Sequence, residues 1–485
     1  MNLSLIHLER IHIVFLVSGI LLSLFISMHA IVRKRDSKSA LLWVGVAWVL
    51  PYLGALFYYL FGINRIERKA SKIRKNISAV APSIEKSVVS SSQVISLLSP
   101  TLGHLNAVSR LVEKVDKKPL LEGNKITPLI NGDEAYPEMV QAIDSAEHSI
   151  GLSTFIFNND RAGELIIQAL ARAAKRKVEI RALIDDVGSG YQWSKVYKRL
   201  TEKNINVAYF MPTLAPWRMA YLNLRNHRKI LTIDGKVGFT GGMNIHEENL
   251  IGLKTKKPTF DLHFKCEGPV VFSLQEAFIE DWFFSTKEVL QGEKWFPPLW
   301  RAGITLARGI ADGPDENFEI CRWAILGALA NAQKSVKIVT PYFVPDQSLI
   351  TALNMAAMSG VEVDIIIPES NDMVMIRWAS QALLWQLLEK GCRVWFSKPP
   401  FDHTKLMVVD GAWSLFGSTN WDQRSLRLNF EFNVECYDIT LARKLEEMIN
   451  LKIKASRSVT LEEVDSRPLW MRLRDGSARL FSPLL

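Results

Sequence analysis

One pattern of chemistry-bearing residues occurs twice, and a chain with such a duplication is expected to fold as two like halves. The first copy reads His227-Arg-Lys229, Asp234-Gly235 and Gly241-Gly242-Met-Asn244. The second reads His403-Thr-Lys405, Asp410-Gly411 and Gly417-Ser418-Thr-Asn420, at identical offsets. Each copy lies in an apolar, strand-like run, Lys229–Ile233 and Lys405–Val409. An Asp-Gly pair between such runs predicts a hairpin with a two-residue turn. On that register His227 faces Gly242, and His403 faces Ser418. Side chains two apart on a strand share a face with their cross-strand partners. His, Lys and Asn then point to one side of each hairpin, beside a small residue that leaves room for a ligand.

These residue types suit phosphodiester transfer. One imidazole can attack phosphorus while a second protonates the leaving oxygen, since imidazole titrates near neutral pH. Lys229, Lys405, Asn244 and Asn420 can hold the phosphoryl oxygens, so the chemistry calls for no metal and no cofactor. Asp234 and Asp410 have the wrong parity to share the His face and read as turn residues or supports. A third His-x-Lys, His263-Phe-Lys265, lacks the following Asp and reads as packed core. Neither copy supplies two histidines, so the halves are expected to meet about a pseudo-two-fold axis and build one site between them.

The duplication extends beyond the motifs. Residues 142–150 correspond to 328–336, and 177–181 to 360–364. In each half a helical pattern leads into a strand, a second helix (Ala162 to Arg176; Gln347 to Ser359) and another strand, which predicts an α/β sheet with helices on its faces. Trp295-Phe-Pro-Pro-Leu-Trp300 is the expected join.

The amino-terminal region has a different character. Ile11 to Val32 and Leu41 to Phe61 are uncharged and long enough to cross a hydrocarbon core, forming a hairpin that Pro51 kinks. A signal peptide is disfavoured by the length of the first run, the lack of a small-x-small cleavage site and the second span that follows. Arg33, Lys34, Arg35 and Lys38 lie in the loop; Arg65, Arg68, Lys69, Lys72, Arg74 and Lys75 follow the hairpin, which places the catalytic part in the cytoplasm. The expected division is a hairpin over 1–64, a basic connector over 65–120, and α/β domains over 121–295 and 296–485. Residues 214–222 read either as a loop dipping into lipid or as core, and residues 469–485 as a tail lying on membrane or protein. The net charge of +9 suggests an anionic partner. The hairpin, and the shortage of aromatic-basic interleaving around the motifs, favour membrane over nucleic acid. Four scattered cysteines read as reduced, buried thiols.

The paired motifs resemble those of the phospholipase D superfamily. Residues 241–245 with Glu247-Glu248, Thr340-Pro-Tyr-Phe-Val-Pro345, and Asn420-Trp-Asp-Gln-Arg-Ser425 before Asn429-Phe-Glu431 are similar to bacterial cardiolipin synthases, over nearly the whole chain. Trp421 and His246 depart from the expected pattern. The resemblance implies two phospholipase D-like α/β domains behind a transmembrane hairpin in the bacterial inner membrane. It implies a phosphatidyltransferase that joins two phosphatidylglycerol molecules into cardiolipin and releases glycerol. A phospholipase D or another headgroup-exchanging enzyme is the nearest alternative, a superfamily nuclease a further one. The motif residues His227, Lys229, Asp234, His403, Lys405 and Asp410 form the implied catalytic set. His227 would be the nucleophile and His403 the general acid. Asp261 would orient His227, and Glu431 would orient His403.

Overall fold

The computed structural model describes residues 3–34, 37–62, 88–89, 100–188, 190, 194–211, 225–314 and 318–482. The basic residues 65–75 and the segment 214–222 lie outside them. The chain divides into two units, residues 1–67 with 213–223, and residues 68–212 with 224–485.

In the first unit, α1 (Leu3–Arg33) packs against α2 (Ser37–Val49) and α3 (Pro51–Phe57). Only Arg10–Arg33 is a single helix long and apolar enough to cross a membrane among the described residues. The expected second span is divided at Pro51, which takes the first position of a new helix because it can neither donate to the preceding turn nor sit inside it. Polar groups bond across the pair: Ser23 Oγ donates to Ala47 O (2.6 Å), Trp48 Nε1 to Ser27 Oγ (3.2 Å), and His29 Nδ1 meets Tyr58 Oη (2.7 Å). Phe15, Leu21, Phe25 and Leu41 face outward. Polar atoms satisfied inside and apolar side chains outside is the arrangement that lipid selects.

The second unit is built on a 16-stranded sheet, fifteen strands of which form one continuous path, while the sixteenth, Val88–Val89, pairs with Leu120-Leu121 off that path. Its first half supplies β1 (Leu120–Ile130), β2 (Ser149–Thr154), β3 (Glu179–Asp185), β4 (Asn206–Phe210), β5 (Ile230–Ile233), β6 (Val237–Gly241) and β7 (Leu262–Glu267). Its second supplies β8 (Thr305–Asp312), β9 (Ser335–Val339), β10 (Glu362–Pro368), β11 (Arg393–Ser397), β12 (Leu406–Val409), β13 (Trp413–Gly417), β14 (Glu431–Tyr437) and β15 (Arg457–Val459). Outward from the β1–β8 seam the first half runs β7-β6-β5-β2-β3-β4, and the second runs β14-β13-β12-β9-β10-β11 with β15 added at the edge. The two orders match strand for strand, which is the pseudo-two-fold relation expected from the duplication. Parallel strands such as Val363-Asp-Ile-Ile-Ile367 are apolar almost throughout because helices cover both faces.

The principal helices are α4 (Asn106–Asp116), α5 (Asn131–Ser145), α6 (Arg161–Lys175), α7 (Val271–Thr286), α8 (Ile320–Asn331), α9 (Gln347–Met358), α10 (Val374–Gln381), α11 (Ile439–Ala455) and α12 (Leu469–Leu480). The predicted α6 and α9 agree to within a residue at each end. Part of the stretch read as a connector belongs to the globular core: Leu105, Val108 and Val112 are buried against Ile320, Ala324 and Ile325. The join at 295–300 packs over the first hairpin turn, where Gly235 (φ +61°) lies so close to Trp295 O that an added Cβ would sit 2.8 Å from it.

The turns correct the predicted register. Ile233 pairs with Val237 and Val409 with Trp413, so each loop has three residues and every cross-strand partner moves by one. Asp234 and Asp410 adopt the left-handed conformation (φ 50° and 52°) ahead of Gly235 and Gly411. The extra residue lets each carboxylate turn back onto a neighbouring backbone.

Candidate active site

Both motif histidines precede their hairpin strands, and each is held by the other half. Phe401-Asp402 pairs in parallel with Thr259-Phe260, and His403 N donates to Phe260 O (2.7 Å). In the matching place Asn226 bridges Phe430, and His227 N donates to Phe430 O (2.9 Å). The next residue on each opposing segment is a carboxylate. Glu431 places both oxygens 3.0 Å from His227 Nδ1, and Asp261 Oδ2 lies 2.8 Å from His403 Nδ1. The implied pairing of Asp261 with His227 and Glu431 with His403 is therefore exchanged. The reason is the backbone bridge, which sets each histidine beside the carboxylate of the opposite repeat.

The lysines fold over their histidines. Lys229 Nζ donates to His227 O (2.7 Å), and Lys405 Nζ donates to His403 O (2.7 Å) and lies 3.0 Å from His403 Nε2. Asn244 Oδ1 accepts from Ile156 N (3.2 Å). Asn420 Nδ2 donates to Ser425 Oγ (3.2 Å), while its Oδ1 is buried without a partner. The structure thus gathers His227, His403, Lys229, Lys405, Asp261 and Glu431, with the asparagines on the loops that follow β6 and β13.

Asp234 and Asp410 stand at the far ends of the hairpins. Asp234 accepts from the backbone N–H groups of Glu147, His148 and Ser149. Asp410 accepts from those of Gln333, Lys334 and Ser335, and from His104 Nε2 (2.7 Å). Both carboxylates are thus engaged by neighbouring backbone, the turn or support role that their parity suggests. His263 is buried in β7, and Lys265 pairs with Glu138 (2.9 Å).

Several further residues escaped the sequence reading. Ser418, the small residue beside His403 in the sequence pattern, uses its hydroxyl to donate to Glu431; Asn429 Nδ2 donates to the same carboxylate (3.1 Å). At the equivalent place in the first half, a Cβ on Gly242 would lie 2.3 Å from Asp261 Oδ1, so only glycine fits. Arg228, the middle residue of the first motif, is buried and ties the halves together. It bonds Asp281 (2.9 Å), Glu431 O (3.0 Å) and Asp312 O (3.2 Å). Phe155 and Tyr342 stand edge-on to His227 (5.3 Å) and His403 (6.1 Å). The two halves share a bend in which a threonine hydroxyl donates to the carbonyl two residues on (Thr154 to Ile156 O; Thr340 to Tyr342 O). The ring, however, comes from the first residue after the threonine in one half and the second in the other, so the repeat alone does not single out the pair.

Burial dominates the electrostatics. It pushes both imidazoles well below their ordinary range, and the two ammonium groups add to the effect. Burial also lowers Lys229 strongly and Lys405 to about 8, and raises Asp261 to about 6 and Glu431 to about 7. A neutral imidazole that donates Nδ1–H to a carboxylate keeps its Nε2 lone pair for chemistry. Lys229 and Lys405 disfavour a proton on both rings; Arg424 adds to this at His227, and at His403 the neighbouring His227 adds to it while Asp372 opposes it.

Two interlocked α/β halves that contribute one His-Lys pair each to a shared, buried centre define a phospholipase D-type protein. The chain belongs to the family described as cardiolipin synthase, PLD-like domain, whose model matches residues 139–282 and 325–452. A phospholipase D-nuclease N-terminal model matches residues 21–62. The chain is 32% identical to the major cardiolipin synthase ClsA of Bacillus subtilis (strain 168), over 97% of this chain and 100% of that protein. It is 31% identical to a cardiolipin synthase of Geobacillus kaustophilus, over 95% and 92%. The crystal structure of phosphatidylserine synthase from Haemophilus influenzae Rd KW20 shares the fold, with a TM-score of 0.61 over 78% of this chain and all of that one, at 16% identity.

Proposed function

We infer that this protein is a membrane-bound cardiolipin synthase that transfers a phosphatidyl group from one phosphatidylglycerol to another. The observation that carries the reading is the full-length match to cardiolipin synthases combined with an intact pair of His-Lys motifs meeting at one site.

The chemistry follows from the geometry. His227 Nε2 attacks the donor phosphorus, and the bond from phosphorus to the glycerol oxygen breaks. His403 Nε2–H protonates that oxygen and glycerol leaves, with a phosphatidyl group on His227. The neutral His403 then takes the proton of a hydroxyl on a second phosphatidylglycerol. That oxygen attacks phosphorus and displaces His227, giving cardiolipin and restoring both histidines. Lys229, Lys405, Asn244 and Asn420 hold the phosphoryl oxygens; the buried, unpartnered end of the Asn420 amide is a group that such a ligand can satisfy once the amide turns over. The anionic phosphate offsets the effect of burial and restores protons to the lysines and to His403. Glu431 orients His227, and Asp261 orients His403. Burial of His227, Lys229 and Lys405, with His403 only slightly more open, limits access of water, which favours a lipid hydroxyl as the acceptor.

The apolar outer surface of the hairpin supports two membrane passes, and the basic residues that follow it support a cytoplasmic catalytic unit. The test is to incubate the purified full chain in vesicles with labelled phosphatidylglycerol. Cardiolipin and glycerol should appear in equal amounts. Phosphatidic acid as the main product would identify a hydrolase instead.

A further inference from the structure

The last helix is amphipathic in the inverted sense. At about 100° per residue, Leu469, Leu473, Leu480, Trp470 and Phe481 fall within a sector of roughly 120°. All five are exposed, Leu473 by 61% and Leu480 by 78%. The side of α12 turned toward the protein carries Asp475, which is fully buried, and Ala478. Asp475 accepts from Arg467 Nη1 (2.8 Å) and from Arg474 Nε and Nη2 (2.9 and 2.7 Å). Arg467 also bonds the side chain and carbonyl of Gln381 at the end of α10 (3.2 and 3.0 Å). A charged network thus fastens this helix, and its leucines point away from the body. A helix selected for contact with water shows the opposite arrangement.

The neighbouring helix carries more of the same surface. Met373, Val374 and Met375, at the start of α10, are exposed, and α12 packs along α10 with Arg474 stacked on Trp378 (4.6 Å). The residue before them, Asp372, accepts from the hydroxyl of Tyr342 (2.9 Å), whose ring stands against His403. The apolar surface therefore reaches the wall of the site on the His403 side.

We propose that the outward face of α12, together with Met373–Met375, docks the catalytic unit on an anionic lipid surface beside the His403 wall of the site. A bilayer is the occupant that the residue types fit. Trp470 is amphipathic, the leucines are long enough to enter the acyl boundary, and the exposed Arg472 and Arg479 edge the sector where lipid phosphates would lie. The purpose of the contact rests on the lipid-substrate reading above; the contact itself does not.

The test uses the full chain in vesicles of phosphatidylethanolamine and phosphatidylglycerol. All four native cysteines are buried, so a spin label can be directed to Leu473→Cys and, as a water-exposed control, to Glu462→Cys. The ratio of collisions with oxygen to collisions with a water-soluble nickel chelate should be about fivefold higher at Leu473→Cys. Equal ratios at the two positions would overturn the proposal. So would dipolar broadening at Leu473→Cys that vanishes on dilution with unlabelled protein, because a second copy would then cover the face. A label at that position shielded from both reagents would overturn it too, by showing cover from this chain. None of these readings needs an active enzyme. In parallel, Leu473→Glu combined with Leu480→Glu should lower turnover of vesicle lipid about tenfold and leave turnover of a soluble short-chain phosphatidylglycerol within about twofold. Equal loss on both substrates would count against docking.

Discussion

Glu431 reaches Nδ1 of His227 from the opposite half of the molecule, with both carboxylate oxygens 3.0 Å away. Asp261 holds His403 in the same crossed sense, at 2.8 Å. Neither half therefore contains a complete His–carboxylate unit, and separating the halves would cost each histidine its partner as well as its counterpart. The two crossings are not equivalent. Glu431 also accepts from Ser418 and Asn429, whereas Asp261 accepts from Leu262 N and sits where Gly242 leaves no room for a side chain.

The crossing assigns different steps to the two carboxylates. With a donor whose leaving group needs no protonation, Glu431→Gln should slow formation of the phosphohistidine on His227, and Asp261→Asn should leave formation intact and slow its breakdown by weakening His403 as a base. Each variant should lose about a hundredfold or more in turnover, the scale on which a misoriented catalytic imidazole acts. Rapid-quench measurement of the adduct separates the two. If Asp261→Asn suppressed adduct formation while Glu431→Gln left it intact, the carboxylates would be serving the histidines of their own halves after all.

Much of this was legible because it depends on local spacing. The duplicated offsets announced two like halves, and helical and strand periodicity located α6 and α9 to within a residue. What spacing does not carry is the partner chosen across a pseudo-symmetric interface. Asp261 and Glu431 are interchangeable on paper; the bridges from Asn226 to Phe430 and from Phe401-Asp402 to Thr259-Phe260 decide between them, and they are tertiary pairings. The turn failed for a related reason. Asp-Gly favours a two-residue loop in isolation, but the carboxylate of Asp234 meets three backbone N–H groups brought from residues 147–149, and that wins. Ser418, read for its volume, matters for its hydroxyl.

The clamps formed by Asp234 and Asp410 should show up in stability and not in chemistry. Asp410 satisfies four donors, so Asp410→Asn should destabilise the protein by roughly 2–4 kcal/mol, since hydrogen bonds to a charged acceptor contribute about 1.5–3 kcal/mol each and are only partly lost. Thermal unfolding measures the first quantity; activity per folded molecule at low temperature should stay within about threefold. Unchanged unfolding with turnover abolished would return Asp410 to the catalytic set.

Lys405 sets a pH limit. Burial lowers its ammonium from the ordinary lysine range to about 8, against the partial compensation of Asp261 and Glu431. The group is charged below that value and neutral above it, and only the charged form stabilises the phosphoryl oxygens. The ratio kcat/KM should therefore fall as pH rises through about 8. The limb in kcat should lie higher, because bound phosphate favours the ammonium. Lys405→Arg should carry the limb upward by more than about one unit, since guanidinium keeps its proton throughout that range. A limb that did not move in this variant would belong to another group.

The histidines themselves can be told apart by where the intermediate collects. Burial, reinforced by Lys229 and Lys405, disfavours a proton on His227, so it rests as the free base that a nucleophile must be. Burial and the same two lysines hold the proton off His403 as well, and it becomes an acid once an anionic phosphate bound beside it restores that proton. His403→Ala should therefore still be able to attack a donor whose leaving group requires no protonation, such as a phosphatidyl nitrophenol. It should then stall, because nothing deprotonates the second lipid. Phosphate should accumulate on His227, stable to alkali and labile to acid, and peptide mapping should place it in the segment containing residues 226–230. His227→Ala should form no adduct with the same donor. Phosphate on His403 in His227→Ala, with none on His227 in His403→Ala, would reverse the two roles while leaving the shared site intact.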